Sequence, residues 1–414
     1  MQKSGTPLMN FFQKIFPNYF RKFFTEFFKS ESASAVLLLI ATLISIILAN
    51  TPFRETYMDF WHMKVAVPLP FVDLNFSVRH WINDGLMVFF FLMVGLEVEE
   101  SIYIGELSDF KSAALPIIAA IGGLTLPALI YFGFNWGTET QPGFGIPMAT
   151  DIAFSIGILA LLGKRVPFAL KIFLTAVAVV DDVGAIIIIV IFYSQSLNYF
   201  ALAMAAIVLA ALLIMNQLKA PLLLYIIPGV LLWYFTYKVG IHPTIAGVIL
   251  AFLIPFGSGG EGSPSYELLH LLNKPVAFFV MPVFAIANAT ILFEADWASS
   301  LMLPASLGTI FGLIIGKPLG IVGLSLVAIW LGLAKLPENV SKNMILGVGF
   351  ISGIGFTMSI FITNLAFVKE SLINDVKIAI IVASAISGII GYLWLNYVLR
   401  KKNKAPEPGV ANES

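Results

Sequence analysis

Apolar residues in this chain form long, nearly uninterrupted runs, separated by short polar stretches. A helix rises about 1.5 Å per residue, so a run of about 20 apolar residues can cross the hydrocarbon of a bilayer. The pattern therefore predicts an all-α membrane protein with about twelve transmembrane helices. The predicted spans are residues 33–50, 81–103, 112–134, 145–163, 167–193, 198–216, 220–237, 241–256, 272–293, 302–332, 342–367 and 376–399.

Short loops connect these runs, so residues 31–399 are predicted to form a single twelve-helix domain. Residues 1–30 are rich in Phe, Lys and Arg and lack the small-residue cleavage site of a secretory signal. They are predicted to be an uncleaved amphipathic segment on the membrane surface. Residues 400–414 are basic and contain Pro, which predicts a disordered tail.

Composition supports the membrane interpretation and excludes other classes. Hydrophobic residues make up 59% of the chain and charged residues 12%, with a mean hydropathy of +0.92. A soluble enzyme is excluded by this apolar content. The net charge is zero and cysteine is absent, so nothing indicates a nucleic-acid partner, a disulfide or a Cys-ligated metal. No enzyme activity and no cofactor is predicted.

The distribution of basic residues predicts the orientation. With both termini on the same side of the membrane, most of the 24 Lys and Arg residues fall on that side. Cytoplasmic loops carry this excess in membrane proteins, so both termini are predicted to be cytoplasmic.

The fifth run contains two adjacent acids, Asp181 and Asp182, in the middle of the apolar segment 172–192. An Asp at the centre of a membrane helix costs about 3 kcal/mol, and intramembrane acids are therefore candidates for function. The alternative is a buried network with a purely structural role.

Two runs carry helix-breaking or polar residues near the expected midplane. These are Gly143, Gly145, Pro147, Thr150 and Asp151 in the fourth run, and Ser352, Gly353, Gly355, Thr357 and Ser359 in the eleventh. The pair Thr150-Asp151 is typical of a cap for a second half-helix that begins at Ile152. Paired interrupted helices from inverted repeats indicate an ion site. Two alternatives stay open: Thr150 acts only as a cap, and the small residues of the eleventh run only permit close packing.

The tenth run contains Lys317 within Gly316-Lys317-Pro318. Pro318 has no backbone N–H to donate, so a kink is predicted beside the lysine. A lysine at this depth requires a carboxylate partner, and a structural salt bridge is the alternative to a functional one.

At these residues the chain resembles the NhaA family of bacterial sodium/proton antiporters, in order and spacing from about residue 30 to residue 399. The matching segments are Gly95-Leu96-Glu97-Val98, residues 149–154, 179–185, 284–289, 316–320 and 353–360. The resemblance implies twelve helices with inverted repeats, two of them interrupted and crossed, in a bacterial inner-membrane homodimer. It also implies that the protein exports cytoplasmic Na⁺ or Li⁺ in exchange for external protons, and that this exchange is electrogenic and regulated by pH.

Position by position, Asp182 and Asp181 match the paired carboxylates of the family and Asp151 the acid of the interrupted helix. Lys317 matches the intramembrane lysine, and Thr150 a residue beside the site. Residues 63–77, with alternating apolar residues and a turn predicted near Asp73, match an external β-hairpin that supports dimerisation.

The exchange chemistry follows from the residue types. A sodium ion and a proton neutralise the same buried carboxylate and therefore compete for it. Adjacent helical residues point about 100° apart, so Asp181 and Asp182 cannot face one ion equally. Asp182 is therefore predicted to bind Na⁺ directly, while Asp181 alternates between Lys317 and the ion. Asp151 and Lys317 are predicted to offset the dipoles of the interrupted helices. The interruptions themselves are predicted to be supported by Pro147, Gly353, Gly355 and Thr357.

The cytoplasmic mouth departs from the family pattern. After Glu97 the family continues with basic residues, whereas this chain has Glu99 and Glu100. In the loop before the ninth run, the family has a cluster of basic and acidic residues, whereas this chain has the segment 266–270, which ends at His270. These four residues are predicted to set the pH response. A more acidic mouth attracts cations, so the pH profile of transport is predicted to be displaced.

Two other transport functions are weighed against exchange. A sodium-coupled organic-anion symporter needs a larger cavity, and the Asp pair with Lys317 argues against it. A proton or cation channel needs a continuous polar lining on several helices, and the other runs are nearly free of polar residues.

Overall fold

The computed structural model describes residues 32–69, 72–194 and 197–404. The predicted surface segment 1–30 and residues 405–414 of the predicted tail lie outside this part of the chain. The last helix extends through Lys404, so the first residues of the predicted tail are helical. Basic residues at a helix C-terminus are favourable because they offset the helix dipole.

The described chain is a helical bundle with one small sheet. Its α-helices are α1 (Ala33–Ala49), α2 (Arg54–His62), α3 (Val78–His80), α4 (Met87–Tyr103), α5 (Phe110–Asn135), α6 (Ile152–Leu161), α7 (Phe168–Phe192), α8 (Tyr199–Gln217), α9 (Ile226–Val239), α10 (Ile245–Leu253), α11 (Pro264–Pro275), α12 (Met281–Asn288), α13 (Trp297–Ser300), α14 (Pro304–Phe311), α15 (Lys317–Trp330), α16 (Lys342–Ser352), α17 (Phe356–Ala366) and α18 (Glu370–Lys404). The strands are β1 (Lys64–Leu69) and β2 (Val72–Ser77).

Short segments of other helical types connect some of these helices. Widened, π-type turns join α3 to α4 (Trp81–Leu86), α11 to α12 (Val276–Val280) and α14 to α15 (Gly312–Gly316). Tightened, 3₁₀ segments span Gln141–Met148, Gly163–Arg165 and Leu222–Tyr225.

The length and composition of the helices define a multi-pass membrane protein. Eight helices in the described ranges are long and apolar enough to cross a bilayer, and ten if each of two bent pairs forms one span. The bent pairs are α1 with α2, at 115°, and α16 with α17, at 47°. The region predicted as span 241–256 contains α10, which has nine residues. Twelve spans therefore stay a prediction.

Both predicted interruptions are present. The 3₁₀ segment Gln141–Met148 and α6 are separated by a short non-helical link, and α6 begins at Ile152 as predicted. The side chain that caps α6 belongs to Asp151, whose Oδ1 accepts a hydrogen bond from the Phe154 amide. Thr150 is therefore not the cap, because its hydroxyl donates elsewhere. The second interruption separates α16 from α17.

The predicted kink beside Lys317 takes a different form. The π-type turn Gly312–Gly316 directly precedes Lys317, and α14 and α15 together form one candidate span, Pro304–Trp330. Pro318 cannot donate a backbone hydrogen bond, and a widened turn rearranges the bonding locally without ending the helix.

Helices α5 and α15 approach closely through glycines. A Cβ on Gly122 would collide with the backbone carbonyl of Gly320, and a Cβ on Gly320 would collide with that of Gly122. Backbone atoms in packed helices cannot move aside cheaply, so only glycine fits this contact.

The Gly122→Ala variant is expected to lose about 1–3 kcal/mol of stability through overpacking. Gly133→Ala is the matched control in α5, because its Cβ would meet no heavy atom within 4 Å. This control is expected to gain up to about 1 kcal/mol from helix propensity. Thermal unfolding of the purified protein in detergent measures both. Equal stability of Gly122→Ala and the wild type would contradict the close contact.

The predicted hairpin is present, with a different turn position. Strand β1 pairs antiparallel with β2, from Lys64 opposite Ser77 to Leu69 opposite Val72. Residues 70–71, between the strands, lie outside the described ranges, and Asp73 belongs to β2, opposite Pro68. Asp73 therefore lies in a strand and not in the predicted turn, because strand register depends on pairing as well as on turn-forming residues.

Candidate ion-binding site

The two interrupted helices meet at their breaks. The Asp151 amide donates to the Ile354 carbonyl over 2.6 Å, and the Thr150 hydroxyl donates to the Ser352 carbonyl over 2.9 Å. The Ser359 hydroxyl donates to the carbonyl of Ile146 over 2.7 Å. Broken helices release backbone groups that water cannot reach at membrane depth. Here each break supplies partners for the other, so the two breaks form one unit.

Asp151 links the two breaks through its side chain. Its Oδ1 accepts from the Phe154 amide over 3.2 Å, and its Oδ2 accepts from the Thr357 amide over 3.1 Å. The Thr357 hydroxyl also donates to Oδ2. Asp151 is 1% exposed. Both of its oxygens are occupied, and its negative charge lies at the N-terminus of α6, where the helix dipole favours it.

Asp181 forms a fully buried ion pair with Lys317. The Lys317 Nζ lies 2.7 Å from Asp181 Oδ2, and both side chains are 0% exposed. The Thr150 hydroxyl oxygen lies 2.7 Å from the same Asp181 oxygen and 2.9 Å from the Ser352 carbonyl, so its one proton serves either acceptor, while Lys317 also donates to the Met148 carbonyl. The predicted carboxylate partner of Lys317 is therefore Asp181. Asp181 Oδ1 is buried and has no hydrogen-bond partner within the described ranges.

Asp182 lies beside this pair and is not part of it. Its side chain is 4% exposed, and its Oδ1 has no hydrogen-bond partner among the described residues. The negative charges of Asp181, Glu97 and Asp151 and the positive charge of Lys317 all act on it. A buried carboxylate oxygen without a partner is costly, because folding removes it from water and returns no bond. Asp182 therefore presents an acceptor that a cation or a proton can satisfy.

Gly353 and Gly355 permit close packing around the second break. A Cβ on Gly353 would meet Ser387 Oγ and the Leu313 carbonyl, and a Cβ on Gly355 would meet Ser359 Oγ. Pro147 lies in the 3₁₀ segment of the first break, against Gly312. The close-packing interpretation of the eleventh run therefore agrees with the geometry.

Two backbone contributors were missed by the sequence analysis. The carbonyls of Met148 and Ser352 accept hydrogen bonds from Lys317 and Thr150. The signal was present, since both carbonyls lie beside a predicted break, where helical bonding stops. Which side chain each carbonyl meets depends on contacts far apart in sequence.

Part of the predicted pH-response group lines a cavity of about 780 Å³. Glu97, Glu100 and Lys274 line it, together with Val179, which lies about one turn before Asp182. Glu99 is buried, its Oε2 has no hydrogen-bond partner in the described part of the chain, and it does not line this cavity. His270 is not in the lining either, and its ring lies against Tyr266 with centroids 3.9 Å apart. The structure therefore brings together Glu97 and Glu100 but not Glu99 and His270.

The site is not a cluster of metal-binding side chains. No group of three or more His, Cys, Asp or Glu residues in the described ranges could hold a metal ion. The acids are instead combined with hydroxyls, backbone carbonyls and one lysine, in a helical membrane protein with two interrupted helices. This combination defines the class of secondary ion transporters.

The family model described as Na⁺/H⁺ antiporter 1 matches residues 25–395, and the chain belongs to this family. It is 52% identical over 372 residues to Na⁺/H⁺ antiporter NhaA 1 of Flavobacterium johnsoniae, covering 90% of this chain and 96% of that protein. Identity to Na⁺/H⁺ antiporter NhaA of Dechloromonas aromatica is 50% over 380 residues, with 91% and 96% covered. The family prediction is confirmed.

Among solved structures, the sodium proton antiporter MjNhaP1 from Methanocaldococcus jannaschii has a similar fold. The TM-score is 0.52 at 14% identity, with 89% of this chain and 92% of that chain covered. At this identity the likeness concerns the fold alone.

Proposed function

We propose that this protein exchanges Na⁺ for protons across the membrane. Family membership supports this reaction, and one observation carries it in the site: Asp182 Oδ1 is buried beside an ion pair and has no hydrogen-bond partner among the residues that the structure describes. A cation with oxygen ligands, or a proton, removes the cost of that charge. The two ions compete for one carboxylate, and this competition couples their movements. Na⁺ and H⁺ are substrates here, and no resident cofactor is proposed.

Asp182 is proposed as the direct Na⁺ ligand, and Asp181 as the carboxylate that exchanges Lys317 for the ion. The Thr150 hydroxyl contacts Asp181, so it is placed to bind the ion together with that residue. Asp151 is proposed to hold the two breaks together, since both its oxygens are occupied by α6 and α17. Li⁺ has the same charge and the same preference for oxygen, and is proposed as a second substrate.

Exchange is proposed to proceed by alternating access, with twelve spans, inverted repeats and crossed interrupted helices. The cavity at Glu97, Glu100 and Lys274 is proposed as the cytoplasmic entrance, because both acids lie in the C-terminal half of α4, whose N-terminal end follows the hairpin. Both termini are then cytoplasmic, and the protein exports Na⁺ through the bacterial inner membrane. More protons than sodium ions are proposed to move, which makes the exchange electrogenic.

Regulation and assembly extend this proposal. Acidic residues at the entrance are proposed to displace the pH profile of transport from that of relatives with basic residues there. A homodimer is proposed to form through the hairpin 63–77, which is a two-stranded sheet with open edges. The oligomeric mass of the purified protein, with and without residues 64–77, tests the dimer.

The protein reconstituted in liposomes provides the test of exchange. An inward proton gradient is expected to drive ²²Na⁺ outward, and a sodium gradient is expected to drive protons the opposite way. Repeating the assay across the neutral and alkaline range gives the pH profile. Sodium flux that is independent of the proton gradient would indicate a channel, and sodium and an organic anion moving together would indicate a symporter. Either result would reject exchange.

A further inference from the structure

Three asparagine side chains from three helical segments bind one another near the hairpin end of the bundle. Asn83 lies in the widened turn before α4, Asn288 ends α12 and Asn364 lies in α17. Asn288 Nδ2 donates to Asn83 Oδ1 over 2.7 Å, and Asn364 Nδ2 donates to Asn288 Oδ1 over 2.9 Å. Asn288 is 0% exposed. We call these three residues the amide layer.

Three phenylalanines lie next to the amide layer on the same helical segments. The ring of Phe361 lies 5.3 Å from that of Phe91 and 6.1 Å from that of Phe284, measured between centroids, and all three are buried. Phe361 and Phe284 each share a helical face with the Asn of their own segment, because the two are three and four residues apart. Phe91 follows Asn83 by eight residues, in the helix that continues from the widened turn. We call Phe91, Phe284 and Phe361 the phenyl layer.

The phenyl layer lies between the ion site and the amide layer. Thr357, which contacts Asp151, precedes Phe361 by four residues and Asn364 by seven on the same face of α17. These spacings correspond to about 6 Å and about 10 Å along the helix. Beyond the amide layer, Asn364 lines a cavity of about 290 Å³ that also contains Arg79. The order along α17 is therefore site, phenyl layer, amide layer and hairpin-side cavity.

We propose that the phenyl and amide layers together form the external gate of the ion pathway, a proposal that rests on the proposed exchange. The phenyl layer excludes water and ions, which keeps the site closed toward the hairpin side. The amide layer joins α17 to the segments before α4 and in α12. Amide hydrogen bonds exchange for bonds to water at small net cost, so this layer separates and re-forms readily.

The gate gives α17 a direct role in coupling. This helix contacts Asp151 at Thr357 and carries one member of each layer. A shift of α17 that separates Asn364 from Asn288 also removes Phe361 from Phe91 and Phe284. The site is then open on the hairpin side, where a proton enters or Na⁺ leaves.

Cross-linking tests the gate directly, because the chain contains no cysteine. In the variant Asn288→Cys/Asn364→Cys, a short bifunctional thiol reagent is expected to lower exchange at least tenfold, and a cleavable linker is expected to restore it. The control pair is Asn135→Cys/Thr140→Cys. In the wild type, Thr140 Oγ1 lies 2.6 Å from Asn135 Oδ1, at the link between α5 and the 3₁₀ segment Gln141–Met148, at the same end of the bundle. Undiminished exchange after complete cross-linking of Asn288→Cys/Asn364→Cys would overturn the gate. Exchange before cross-linking is the separate measure of the proposed function.

A second measurement applies if the double variant transports poorly. Phe284→Cys is expected to react with a membrane-impermeant thiol reagent added on the hairpin side, several-fold faster when Na⁺ and a proton gradient permit turnover. Phe173→Cys is the control, because Phe173 is 1% exposed, against 0% for Phe284, and lies in α7 outside both layers. A Phe284→Cys rate that is the same with and without turnover would also overturn the gate.

Discussion

Asp182→Asn is expected to abolish Na⁺/H⁺ exchange while the protein still folds. An amide has nearly the shape of a carboxylate but carries no charge and does not titrate in this range. Removing a buried charge partner costs about 3 kcal/mol or more, which corresponds to a loss of at least about a hundredfold in ion affinity. Because Asp182 Oδ1 has no protein partner in the described chain, the substitution breaks no hydrogen bond of that oxygen.

The measurement is gradient-driven ²²Na⁺ flux in proteoliposomes, together with the melting temperature in detergent. Asp59→Asn is the matched control, since Asp59 is exposed on α2 and the substitution is the same. The control is expected to transport as the wild type does. Near-normal exchange by Asp182→Asn would refute the assignment of the ion site. The melting temperature separates a lost site from a lost fold.

Breaking the buried pair between Lys317 and Asp181 is expected to destabilise the protein strongly. Lys317→Met leaves the Asp181 carboxylate buried without its counter-ion and removes the donor to the Met148 carbonyl. A buried pair broken on one side typically costs about 3–5 kcal/mol. The double variant Lys317→Met/Asp181→Asn has no unpaired charge, so it is expected to recover most of that stability.

A double-mutant cycle on the melting transition measures the coupling, with both single variants and the double variant in one detergent. Additive effects of the two substitutions would mean that the ion pair does not stabilise the fold. Exchange is a separate readout. If Asp181 alternates between Lys317 and the ion, the double variant recovers stability without recovering wild-type exchange. If the double variant recovered both wild-type stability and wild-type exchange, the ion pair would have no role in transport.

Long helices were predictable from the sequence because one physical requirement dominates in an apolar run, namely that hydrocarbon offers the backbone no hydrogen-bond partners. Backbone groups in hydrocarbon must bond within their own helix, so a long apolar run has few alternatives to a helix. The break at Thr150-Asp151 was equally readable, since a polar pair after Pro147 disrupts that bonding. The hairpin was found, but the position of its turn was not, because register depends on pairing across the strands.

Other features depended on contacts between distant segments. The amide layer joins residues separated by 205 and 76 positions, and an isolated Asn in an apolar run gives no indication of its partner. In the same way, four residues were predicted for the pH response, yet Glu97 and Glu100 line the cavity while Glu99 and His270 do not. Glu97 and Glu100 share one face of α4 and Glu99 lies on another, as their helical spacing requires. His270 lies on α11, and its position relative to the cavity depends on how the two helices pack.

The sequence by itself determined that this is a helical membrane protein with costly charges in its spans and two interrupted helices. The hydrocarbon imposes these features residue by residue, through the cost of exposed backbone groups and buried charges. Only the tertiary structure decided that Thr150 contacts Asp181, that Asp151 joins the two breaks and that Asp182 Oδ1 has no hydrogen-bond partner in the described part of the chain. Partner choice is a property of packing, because it depends on which faces of distant helices meet.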